Sequence, residues 1–141
     1  MMSYDANNIF ARILRGELPA VKVYEDADAI AFMDIMPQGP GHTLVVPRAP
    51  SRNLLDAAPK TLAMVMPTVQ RLARAVKTAF AADGVTILQF NEAAGGQTVY
   101  HLHFHIIPRH DGVPLAKHAG GMERPEVLEA HAAKIRAALA G

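Results

Sequence analysis

The sequence predicts an α+β domain: a mainly antiparallel sheet of about five strands, one long helix and two shorter ones. Three observations carry that expectation. Short apolar segments bounded by turn residues recur at 21–24, 29–32, 42–46 and 85–90, and again in a histidine-bearing stretch from His101. Between Pro59 and Phe80, apolar residues fall at helical spacing: Leu62, Val65, Met66, Val69, Leu72 and Val76. The chain closes on a segment opened by Pro125 that places Leu128, Ile135 and Leu139 on one helical face.

Each element has a local reason. Asn7 or Asn8 can cap a short helix bearing Ile9, Phe10, Ile13 and Leu14, with Gly16 as its stop. The polar run Glu25-Asp26-Ala27-Asp28 turns the first strand into the second. The rigid loop Pro37-Gln38-Gly39-Pro40-Gly41 delivers the third strand, which Pro47 ends. Asp56 is a candidate cap for the long helix, and Pro67 inside it is expected to kink it or split off its first turns. Asp83-Gly84 closes that helix ahead of the fourth strand.

Composition narrows the field. A chain of 141 residues, half of them apolar, suits one domain over 1–141 with a real core. Without cysteine there are no disulfides and no thiolate metal sites. The formal charge of +1, with no basic block, argues against a nucleic-acid partner. Met1-Met2-Ser3-Tyr4-Asp5 shows no basic or apolar leader, and no apolar run is long enough to span a bilayer. A cytoplasmic protein without a membrane partner is therefore expected.

The most informative stretch is His101-Leu102-His103-Phe104-His105-Ile106-Ile107. As a strand it sends three imidazoles to one face, roughly 6–7 Å apart, and Leu102, Phe104 and Ile106 to the other. Taken alone, it admits chance histidines on a surface, metal ligands completed by a residue such as His42, or imidazole acting as nucleophile and acid. The preceding loop, Asn91 to Thr98, contains Gly95-Gly96, which let backbone approach a ligand and can build an anion nest. It is not a P-loop, since no Gly-Lys-Ser/Thr follows. Beside three histidines it favours phosphate chemistry.

These residues resemble the histidine triad (HIT) signature, His-φ-His-φ-His-φ-φ with its Gly-Gln-Thr lead. Ile9–Ile13, Ala31–Ile35 and Pro40–Pro47 are similar to other blocks of that family, so the resemblance covers about residues 8–110. The branch resembled is HINT-like or bacterial Hit. The resemblance implies hydrolysis or transfer at the α-phosphate of a purine nucleotide conjugate, whether a phosphoramidate, an acyl-nucleotide or a dinucleoside polyphosphate. It implies a covalent nucleotidyl-histidine and release of AMP or GMP. It also implies a homodimer pairing through the 59–80 helix and a strand edge.

By the same resemblance His103 attacks, His105 binds phosphate and assists the leaving group, and His101 and His42 buttress the site. Gln97, Thr98 and the backbone at Gly96 hold phosphate oxygens, and Asn91 touches the phosphate or ribose side. Asp34 accepts from ribose hydroxyls, while Phe10, Ile13, Phe32 and Ile35 line the base pocket. No cofactor is required, and Mg2+ is compatible with polyphosphate substrates. The Cys-x-x-Cys of many bacterial relatives is replaced at Asn7–Ala11, which argues against zinc. Two other readings stay open: a zinc-dependent hydrolase using the histidines as ligands, and a nucleotide-binding scaffold without turnover. His110, His118 and His131 are expected to face solvent, and the tail 111–141 lies outside the signature.

Overall fold

A computed structural model describes residues 3–117 and 120–141; His118 lies outside them. The sheet has five strands: β1 (Lys22–Glu25), β2 (Ala29–Met33), β3 (Thr43–Pro47), β4 (Gly84–Leu88) and β5 (Phe104–Arg109). Their order is β1-β2-β3-β5-β4 and every pairing is antiparallel. Three helices complete the α+β fold: α1 (Ile9–Leu14), α2 (Pro59–Ala79) and α3 (Pro125–Ala140).

Alternation along the strands sorts side chains into two unequal layers. Ala29, Ala31, Met33, Val45, Phe104 and Ile106 meet Val65, Val69, Leu72 and Val76 of α2 and Leu128 and Ile135 of α3. On the other face Ile30, Phe32, Leu44 and Val46 meet Phe10, Ile13 and Leu14 of α1 and a few loop residues. With both faces covered, β2 and β3 are buried along their length. His105 stands opposite Leu44 in the β3–β5 register, and so shares the thinner face.

Four local expectations are corrected. The histidine strand begins at Phe104, not at His101. Continuing the β3–β5 register would bring Leu102 opposite Pro47, whose ring has no N–H to give the ladder. Leu102 N–H instead donates to Ser51 O at 2.9 Å. Side-chain alternation survives the break: Leu102 packs in the main core. Second, Pro67 neither splits nor ends α2, which runs unbroken from Pro59 to Ala79. Pro67 and Ala63, whose carbonyl loses its partner, are both on the exposed face, where water can satisfy that carbonyl. Third, Ala58 occupies the cap position of α2, while the Asp56 carboxylate accepts from the N–H groups of Arg52 and Asn53 in the loop before it. Asn8 does cap α1, accepting from Ala11 N–H at 2.9 Å. His131 is half-buried, its ring edge-on to Phe80 rather than facing solvent.

Candidate active site

His103 sits just before β5 on the α1 side of the sheet. Its Nδ1 lies 2.6 Å from the carbonyl of His101. A carbonyl can only accept, so Nδ1 carries the proton and the neutral ring keeps its lone pair on Nε2. Phe10 of α1 packs edge-on to the same ring, with centroids 4.8 Å apart. A short helix and a backbone carbonyl thus hold one imidazole in one tautomer.

His105, the first inward residue along β5, is set by a different chain of bonds. Gln38 N–H donates to His42 Nδ1 at 3.0 Å, which leaves the proton of a neutral His42 on Nε2. His42 Nε2 lies 2.9 Å from His105 Nδ1, and 3.4 Å from the Asp34 carboxylate. His105 Nδ1 therefore accepts, and the proton of the neutral His105 ring resides on Nε2. The His103 and His105 rings lie 5.0 Å apart. Neighbouring imidazoles so arranged offer a lone pair from one ring and a proton from the other.

His101 is fully buried and faces away from the cavity. Its Nε2 donates to Pro47 O at 2.7 Å and its Nδ1 accepts from Tyr4 O–H at 2.6 Å. Burial lowers its pKa, and the bond to Pro47 only partly opposes that. His101 is thus a neutral pillar whose own carbonyl orients His103.

The glycine loop differs from its expected use. Ala93–Gly95 form a short 3-10 turn, and Gly96 has φ +99°. A side chain at Gly96 would also crowd Phe90, whose ring packs on His105. The N–H groups of Gly95, Gly96 and Gln97 donate to carbonyls of Glu92 and Ala93, so they do not form an anion nest. Gln97 is buried behind the loop: its amide donates to Arg52 O and Val99 O, and its oxygen accepts from Asn53 and from Glu92 N–H. The Asn91 side chain is bonded to Leu54 N–H and to Gln89. These two side chains are not brought to the cavity. Thr98 is. The scaffold includes a pair that sequence reasoning missed, the bidentate Arg52–Glu92 contact at 2.8 and 2.9 Å.

Between α1, β2, β3 and the triad lies a cavity of about 350 Å³. Phe10, Ile13, Phe32 and Ile35 line it as the sequence suggests, joined by Ile9, Leu18, Leu44 and Val99. Asp34, Thr98, His103 and His105 supply its polar side chains. An apolar slot ending in a few convergent polar groups is the usual form of a small-molecule site. Leu18 and Val99 were missed because single apolar residues in loops carry no periodic signal.

Among the described residues, one group has metal-like spacing: Asp34, His42 and His105, with candidate ligand atoms within 4.8 Å of one another. The donor chemistry does not fit. With Gln38 N–H on Nδ1, His42 must keep its proton on Nε2 and has no lone pair there to offer.

With this geometry in hand, the relatives fall into place. The HIT domain model matches residues 15–112. This chain belongs to the histidine triad (HIT) family. It is similar to a HIT-like protein of Mycobacterium tuberculosis, 38% identical over 133 residues, 94% of this chain and 92% of that one. An adenosine 5'-monophosphoramidase of Saccharomyces cerevisiae is 38% identical over 107 residues, 76% of this chain and 65% of that enzyme. A crystal structure of a Hit-like protein from Bartonella henselae superposes with a TM-score of 0.91 at 62% identity, covering 96% and 99% of the two chains.

Proposed function

We propose that the protein cleaves the P–N or P–O bond at the α-phosphate of purine nucleotide conjugates through a nucleotidyl intermediate on His103. The observation that carries this is the pair of opposite tautomers on adjacent rings. The Nε2 lone pair of His103 attacks phosphorus. The bond to the leaving group breaks and the His105 Nε2 proton goes to the departing amine or oxygen, which leaves an anionic His105 ring beside the cationic nucleotidyl-His103. Water, giving a proton back to His105, then displaces His103 and releases AMP or GMP. The similar yeast enzyme is named an adenosine 5'-monophosphoramidase, in keeping with this class.

In the same reading the base occupies the apolar cavity, Asp34 accepts from the ribose hydroxyls and Thr98 meets a phosphate oxygen. Gln97 and Asn91 act behind the loop, as supports. The chemistry needs no metal, Mg2+ enters only with a polyphosphate leaving group, and the working unit is a homodimer.

The test is turnover of an adenosine phosphoramidate by wild type and by His103→Ala, with mass spectrometry of acid-quenched enzyme for an adduct on His103. A loss on the order of 10⁴-fold or more is expected, with the fold retained. An undiminished rate in the variant would rule out the nucleophile. Activity that survives exhaustive chelation is expected too; loss of activity on chelation would favour the zinc reading. Calorimetric binding of AMP, with no turnover across a panel of conjugates, would favour a scaffold.

A further inference from the structure

Gln38 lies outside the cavity, and nothing in its sequence context marks it as part of the chemistry. The structure assigns its main-chain N–H a positioning role: we propose that this N–H bars a proton from His42 Nδ1 and thereby fixes His105 as a proton donor. The catalytic consequence rests on the function proposed above; the tautomer assignment does not. His42 is fully buried, and its Nδ1 is 3.0 Å from Gln38 N. A backbone N–H is a donor at every pH. Facing it, His42 Nδ1 can only accept.

Without that donor His42 has two other states. It could carry its proton on Nδ1, in which case His105 would donate from its own Nδ1 and present a lone pair to the cavity. Or it could become an imidazolium beside the Asp34 carboxylate, 3.4 Å from Nε2. Each requires a hydrogen on Nδ1, where the peptide hydrogen already points. Asp34 alone disfavours only the first state.

Gln38 is itself clamped through its carbonyl and its side chain. Gln38 O accepts from Ala116 N–H at 2.8 Å, and the buried Gln38 amide donates back to Ala116 O at 3.3 Å. Ile35 O accepts from Glu123 N–H at 2.9 Å, so the tail crosses the loop at two points. The tail residue Ala116 thus reaches His105 through Gln38 and the His42 ring.

Nitrogen-15 spectroscopy of histidine-labelled protein at neutral pH reads the state of each ring nitrogen without requiring turnover. Wild type is expected to show His42 Nδ1 unprotonated. Gln38→Ala keeps the N–H and is expected to keep that signature; Gln38→Pro removes it and is expected to show a proton on Nδ1. In kinetics, Gln38→Pro should lose roughly 10²–10⁴-fold in kcat on an amine-leaving phosphoramidate, the range of a general-acid contribution. On a nucleotide ester of an acidic phenol, which departs without a proton, the loss should be under about threefold. A protonated His42 Nδ1 in wild type overturns the proposal even if the proline variant does not fold. So do equal losses on both substrates. If wild type turns over neither substrate, the proposed function fails and the spectrum still decides the role of Gln38.

Discussion

His101 shows two effects opposing each other on one side chain. Its bond to Pro47 O favours the charged ring and its burial disfavours it; burial is the larger, and the pKa falls below the ordinary histidine value. The unfolded chain therefore takes up a proton near pH 6.5 that the folded ring resists. The resulting stabilisation is complete above about pH 6.5 and is lost as pH falls below it towards the depressed folded value. Urea unfolding midpoints of wild type should drop between pH 7.5 and 5.5. In His101→Gln, which can still donate to Pro47 O, that drop should be smaller; an equal drop would show that His101 stays neutral for no energetic reason of its own. His131, whose pKa is also lowered by burial and by Lys134, acts the same way in both proteins and cancels from the comparison. The three alternating site histidines were readable from their spacing, and His42 from the family resemblance. Their tautomers were not, because the groups that set them, Gln38 N–H and His101 C=O, are main-chain groups present at every residue.

Among the elements, the loop between β2 and β3 is the most constrained. Gly41 has φ +87°, and a Cβ there would meet the Phe80 ring at 2.6 Å. Phe80 cannot yield easily, since His131 of α3 packs against its ring. Gly41→Ala combines left-handed backbone strain with overpacking and should cost roughly 2–4 kcal/mol by chemical denaturation. A cost below about 0.5 kcal/mol would mean that the loop and Phe80 part readily. The sequence announces the Pro-Gly character of this loop but not its contact with the end of α2, which is distant along the chain. The same limit explains the other differences. The helices and strands follow from periodicity, and Asn8 from its position before Ile9. Whether Pro67 breaks α2 depends on which face it occupies, and where the histidine strand starts depends on its neighbour Pro47. The Gly95–Gly96 turn had the composition of a nest, yet its N–H groups close on their own carbonyls.

At the scale of the whole molecule, the sheet carries a thick layer of two helices on one face and the site on the other. The outer edge strand β4 pairs only with β5. Beside it Ile87 and Met66 are each 45% exposed, in an apolar groove with Val69, Ala73 and Val85 between β4 and α2. An exposed strand edge flanked by apolar side chains invites another strand unless something blocks it. No proline and no lysine lies within β4 itself. The proposed homodimer buries this face by setting β4 and α2 of one protomer against the same elements of its partner. Sedimentation at micromolar concentration is then expected to give twice the chain mass of 15.2 kDa. Ile87→Lys places a charge at the centre of the groove and should shift the protein to the single-chain mass. Because Ile87 is on the thick-layer face, opposite Ile106 and away from the cavity, nucleotide affinity should survive in the monomer unless the partner shapes the site. A wild-type mass of one chain would remove the dimer. A lysine variant that stays dimeric would move the interface to another surface.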